Sequence, residues 1–248
     1  MPNLPVHVEL AYQTVKQIKH PTLDANVGCF LLGSISPDIK IATGFSREKY
    51  HFTSLDFQKV GAGAEQMFNT HPALAKSDML NPPTQAFVAG YIAHLITDEI
   101  WIVDVFRRYF ANKKIFSNDI FGKVMDRAIQ LDLDSEAFGT VNNILHLLKT
   151  NTNNVNVDFI CLEALTEWRD WVVSFLQQQF SWDRLHFMAN RIALGDQTHP
   201  AISIANEFLE SMPQSLEQLH KLIPPSVLTQ YKKRTIKEIT SVLGHYLP

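Results

Sequence analysis

His94 and Asp98 stand four residues apart in the stretch G-Y-I-A-H-L-I-T-D-E-I-W. On a helix that spacing stacks the two side chains on one face. Val88, Ile92, Leu95, Ile96, Ile100 and Trp101 surround them, so the face belongs to a core. A buried carboxylate needs a partner, and a divalent ion neutralises it while taking the imidazole as a second ligand. The same residues also allow a core histidine hydrogen-bonded to its own acid, and H-x-x-x-D alone does not choose. The ligand-type residues upstream include His7, Asp38 after Pro37 in the turn S-I-S-P-D-I-K, and His51 between Tyr50 and Phe52. Singly, each has a plain explanation. A turn acid is commonly a cap, and a histidine between aromatics is commonly just packed.

The elements that must position these groups are helical. Pro83–Phe110 carries about seven turns of helical apolar pattern, with Pro83 and Thr84 suited to its first turn. Upstream, Leu4–Ile18 has the buried stripe Val8, Ala11, Tyr12, Val15 and Ile18, with His7 in its first turn, and Leu23–Leu32 stops at Gly33. Downstream, the pattern predicts helices over Ile115–Leu131 and Ser135–Lys149, with Asp134 as N-cap of the second. Phe159–Phe180 follows, with Trp168, Trp171 and Phe175 as core anchors; His146 and His186 read as structural. Ala201–Glu210, Ser215–Leu222 and a terminal helix after Pro224-Pro225 complete the chain. That last helix bears Lys232, Lys233, Arg234 and Lys237, a solvated face or a contact for an acidic partner. Strand signals are sparse, so the class is all-α, a multi-helix bundle around the long central helix. The polar run T-N-T-N-N-V-N-V-D suggests a division into a core, 1–150, and a C-terminal helical extension packed on it, 151–248.

Composition sets the outer limits. With 46% hydrophobic and 19% charged residues the chain is an ordinary globular protein, and no apolar run is uninterrupted enough to read as a transmembrane segment. A net charge of -3 gives no general attraction to nucleic acid. Cys29 and Cys161, both in apolar surroundings, suggest reduced, buried thiols. With no basic-then-apolar leader pattern at the start, a cytoplasmic location is expected. There is no P-loop, dinucleotide fingerprint, G-x-S-x-G or C-x-x-C.

Taken together, His7, L-L-G-S-I-S-P-D ending in Asp38, K-Y-H-F with His51, and G-Y-I-A-H-L-I-T-D with His94 and Asp98 form an ordered set. Over roughly residues 1 to 110 this resembles the zinc-dependent phospholipase C family, within the superfamily that also holds single-strand nucleases. The resemblance implies an all-α, zinc-dependent phosphoesterase. It implies one zinc held by Asp38, His51, His94 and Asp98, and a second reached by His7 with Asp98 as a bridge. Asp38 is also placed to act as a general base on water. Glu99 points away from His94 on the helix, as an outer support or a surface acid. The family's H-x-x-x-E ligand pair is missing, because no histidine here has Glu four residues on. One or two zinc ions are therefore expected, unless Asp104 or Asp126 supplies a third site. The implied substrate is a small phosphoester or a phospholipid head group. The alternatives are a metal-stabilised helical protein without turnover, and a phosphoesterase acting on nucleotides or single-stranded nucleic acid.

Overall fold

The structure, a computed structural model, describes residues 1–39 and 43–248. Lys40, the last residue of the S-I-S-P-D-I-K turn, lies outside them. Among the described residues there is no strand, and the α-helices are α1 (Leu4–Ile18), α2 (Pro21–Ala25), α3 (Val27–Gly33), α4 (Arg47–His51), α5 (Ala62–Thr70), α6 (Pro82–Ile100), α7 (Asp119–Ile144), α8 (Leu162–Gln177), α9 (Arg184–Ile192), α10 (Pro200–Glu210), α11 (Gln214–Leu222) and α12 (Pro225–Tyr246). The fold is all-α with α6 at its centre.

Helix α6 begins as its sequence demands. Asn81 caps it by accepting the Thr84 amide at 2.8 Å, and Pro82 and Pro83 fill the first turn, where their missing amides cost nothing. Beyond Ile100 the helix continues through Trp101–Phe110 with wider π-type turns, ending where the Ala111 amide reaches back to the Phe106 carbonyl. Among the described residues Pro82–Phe110 is the one helix long and apolar enough to cross a bilayer. However, 94% of that apolar window is buried inside the protein, as in the core helix of a globular fold.

Two glycines let α3 cross α6 at backbone contact. A Cβ on Gly90 would lie 1.9 Å from the Phe30 carbonyl oxygen, and one on Gly33 would lie 2.0 Å from that of Phe87. Only glycine fits at either position. Gly33 thus serves the helix crossing as well as the end of α3. Helix α1 packs on α3, α6, α7 and α12, and α12 in turn covers α6. There the Tyr231 hydroxyl donates to the Thr97 carbonyl at 3.3 Å, and its ring meets Trp101 edge-on.

Several local expectations change. Leu23–Leu32 is two short helices broken at Asn26. Ile115–Leu131 and Ser135–Lys149 are mostly one helix, α7, which ends in a tight turn over Leu145–Leu148. Asp134 is therefore no N-cap but a buried mid-helix acid that accepts from Asn3 Nδ2 at 2.8 Å. Trp171 is not a core anchor: it is 43% exposed, stacked between buried Trp168 and half-buried Phe175. Cys161 is exposed while Cys29 is buried, and both are free thiols. His146 and His186 are exposed. In the basic cluster, Lys232 pairs with Glu9 and Glu136, and Arg234 pairs with Asp104, so half of the cluster is engaged within the chain.

Candidate metal centre

Four elements bring His7, Asp38, His51, His94 and Asp98 to one place. Helix α6 supplies His94 and Asp98, both buried on the face that meets α1 and α3. The glycine crossing sets the Ser34 carbonyl 2.8 Å from His94 Nδ1, which donates to it. That bond fixes the ring and aims Nε2 into the cluster. Asp38 sits in the tight turn Ser36–Ile39, just beyond α3. Helix α4 is a single turn stopped by Phe52 at positive φ, 58°, and Phe52 packs against Tyr91, His71 and Phe159. The Tyr91 hydroxyl also donates to the Tyr50 carbonyl. These contacts press α4 onto α6 and bury the His51 ring, whose Nδ1 lies 3.3 Å from the Arg47 carbonyl.

Asp98 is the hub. Its Oδ1 faces His7 Nε2 at 3.3 Å, while its Oδ2 faces His51 Nε2 at 3.2 Å, His94 Nε2 at 3.6 Å and Arg47 Nη2 at 3.3 Å. The His7 and His94 rings stack at 3.9 Å, and Asp38 Oδ1 lies 3.9 Å from His51 Nε2. Two donor groups result, His7–His94–Asp98 and Asp38–His51–His94, each with ligand atoms within 4.8 Å of one another.

Two carboxylates and three imidazoles set the electrostatics of the cluster. Burial alone would raise the pKa of Asp98, but the imidazoles of His94, His51 and His7 outweigh it and hold the carboxyl well below its usual range. Burial works against charge on His94 too, yet Asp98 and Asp38 raise its pKa. His7 is lowered by burial and by the His94 charge, and His51 is lowered to about 4 by burial despite Asp98. His94 Nε2 lies 3.3 Å from His51 Nε2. The two ring nitrogens converge with the carboxylate oxygens of Asp98 and Asp38, and protons held there are what a divalent ion displaces on binding. His7 Nδ1 is buried without a hydrogen-bond partner, and His7 Nε2 and Asp98 Oδ1, though 3.3 Å apart, do not reach hydrogen-bond geometry with each other. Such orphans are rare in folded proteins, and a bound ion is one accepted reason for them. The donor set, imidazole nitrogen and carboxylate oxygen, therefore fits zinc. His94 has one free lone pair, so it serves one ion; a second would be held through His7 and Oδ1 of Asp98.

Residues 6–121 match the family described as zinc dependent phospholipase C. All five candidate ligands lie inside the matched segment. No curated protein and no solved structure matches the chain. The zinc dependent phospholipase C match agrees with the helical fold and with a His/Asp cluster able to hold metal.

Two features lie outside the sequence reading, and one of its alternatives is decided. Arg47 enters the cluster, and its signal was its position four residues before His51 on one helical face. The Met1 α-amino group is buried within the fields of Asp126, Asp98 and Asp38, and burial pushes it down to about 6. Glu99 is no surface acid: it is buried and accepts the amides of Gly61 and Gly63, tying down the start of α5. Neither acid considered for a third site joins the cluster. Asp104 is paired with Arg108 and Arg234, and Asp126 accepts from Trp101 Nε1 at 3.0 Å and Gln130 Nε2 at 2.7 Å.

Proposed function

We propose that the protein is a metal-dependent phosphoester hydrolase, a phospholipase C-like phosphodiesterase that uses water as nucleophile. The observation that carries this is the buried Asp98 with its two oxygens turned to two different imidazole groups, the arrangement of a carboxylate that bridges cations. His51, His94, Asp98 and Asp38 would hold one zinc, and His7 with Asp98 a second. Bound there, zinc would supply Lewis acidity toward a phosphoryl oxygen and toward water.

The chain's own residues do the rest. Ser34 and Arg47, through their carbonyls, keep the His94 and His51 rings in the orientation that points Nε2 inward. Asp38 has 16% side-chain exposure where Asp98 has 1%, so it is the carboxylate that meets solvent. The His94 and His51 imidazoles hold its pKa down against burial, which keeps it ionised and able to take the proton from an attacking water. As the water oxygen bonds to phosphorus, the bond to the departing alkoxide breaks, and that oxygen leaves with a proton.

A second reading, a metal-stabilised protein without turnover, is favoured by the missing H-x-x-x-E pair and by the engagement of Asp104 and Asp126 elsewhere. One experiment separates the two. Zinc-loaded protein is assayed on phosphodiesters, phosphomonoesters, phospholipid head-group esters and single-stranded nucleic acid. Turnover of diesters, lost in Asp38→Asn and in chelator and restored by zinc, supports the hydrolase. No turnover at full zinc occupancy refutes it.

A further inference from the structure

The cluster opens to solvent at two of its members. His7, His51, His94 and Asp98 have side-chain exposures of 0–1%, whereas Asp38 has 16% and Arg47 has 11%. A ligand that reaches the interior from solvent therefore passes these two groups. Asp38 is an acid and repels an anion, which leaves Arg47 to receive it.

The guanidinium is fixed at the site. Its Nη1 donates to the Thr53 carbonyl at 3.1 Å, and its Nη2 lies 3.2 Å from Met1 Sδ and 3.3 Å from Asp98 Oδ2. Its Nε is buried and has no hydrogen-bond partner. An arginine held only to orient Asp98 would gain nothing from that unmet donor, whose desolvation costs about 1–3 kcal/mol. Among the described residues no other lysine or arginine pairs with Asp98 or Asp38.

Charge bookkeeping agrees. Asp38 and Asp98 bring two negative charges and Arg47 one positive charge, so a single divalent ion leaves the site with one net positive charge. That complements a phosphodiester, which carries one negative charge. Without Arg47 the same singly loaded site would be neutral toward it.

We infer that Arg47 is the anion-binding residue of this site, donating to a non-bridging phosphoryl oxygen of the substrate at the mouth of the metal cluster. This deepens the hydrolase reading and rests on it. A guanidinium there adds charge-assisted, directional hydrogen bonds that a lone ion does not.

The test is calorimetric titration of zinc-loaded, full-length protein with inorganic phosphate, for wild type, Arg47→Met and Arg47→Lys, with zinc content measured on each sample and folding checked by circular dichroism. Arg47→Met should bind phosphate roughly tenfold or more weakly, and Arg47→Lys, which keeps the charge but not the fork, should lose less. The lysine variant, the milder change to the helix α4 environment, decides the matter if the methionine variant does not fold. Phosphate affinity equal to wild type in either folded, zinc-loaded variant overturns the inference. A wild-type protein that takes up no zinc is a separate result, read from the metal analysis alone, and overturns the hydrolase reading.

Discussion

Replacing Gly90 by alanine should loosen the metal centre from a position that holds no ligand. The added Cβ would sit 1.9 Å from the Phe30 carbonyl oxygen, whereas side-chain carbons essentially never approach closer than 3.0 Å. Helices α3 and α6 must then separate by about 1.1 Å at that point, because the obstacle is backbone and no rotamer change can relieve it. One turn further on, the 2.8 Å bond from His94 Nδ1 to the Ser34 carbonyl lies across the same crossing. Opened by that amount it reaches about 3.9 Å and ceases to be a hydrogen bond. Overpacking costs about 1–3 kcal/mol, and the two buried groups left unpaired cost roughly 1–3 kcal/mol more. Loss of the support behind a metal-binding histidine typically lowers affinity about 10–100-fold. Thermal melting with and without zinc, and competition for zinc against a chromophoric chelator, measure both effects. Gly139→Ala is the control: it lies in α7, where an added Cβ would meet nothing within 4 Å, so it should stabilise by about 0.5–1 kcal/mol and leave zinc affinity alone. If Gly90→Ala melts like wild type and binds zinc as tightly, the reasoning from the crossing to the site is wrong.

Asp98→Asn should keep the shape of the hub, lower zinc affinity by orders of magnitude and abolish the rise in melting temperature that zinc gives wild type; an unchanged zinc response would refute the placement of the metal. His7→Ala should reduce zinc stoichiometry while circular dichroism is preserved, and equal stoichiometry would make His7 a packing residue. Burial pushes Asp134 up to about 8, against the Asn3 amide and the Arg184 charge, so the folded protein keeps a proton that the unfolded chain has lost. Stability should therefore fall as pH rises from about 4 to about 8, by up to about 1.4 kcal/mol per pH unit from this group. Asp134→Asn should remove that slope, so its melting advantage over wild type should grow from pH 5 to pH 8; a constant difference would show that Asp134 is not protonated when buried.

The parts of the fold set by local pattern were legible in the sequence. Helix α6 was readable because its length, proline start and apolar neighbours all agree, and α1 because its stripe is regular. The order of the candidate ligands from His7 to Asp98 was readable as a motif. What was hidden depends on contacts between distant segments. Nothing local says that Asp134 joins no cap and instead meets Asn3, or that Trp171 faces outward beside Trp168. Gly33 and Gly90 each carry a local meaning, as helix terminator and weak helix former, that masks their shared role at one crossing. Arg47 stands on a short polar segment, four residues before His51, and the sequence reading gives it no role. Its role appears only once α4 is folded against α6.

The covering of α6 by α12 has a consequence for how the protein is made. Every candidate zinc ligand has been synthesised once Asp98 is complete, yet Tyr231, whose hydroxyl reaches the Thr97 carbonyl, follows Thr97 by 134 residues. Until it arrives, one flank of an almost wholly apolar helix has no lid and is a surface for chaperones or for other nascent chains. The helix that carries His94 and Asp98 is thus complete long before the protein closes around it, and the vulnerable interval is the synthesis of the 134 residues that separate Thr97 from Tyr231, more than half of the chain.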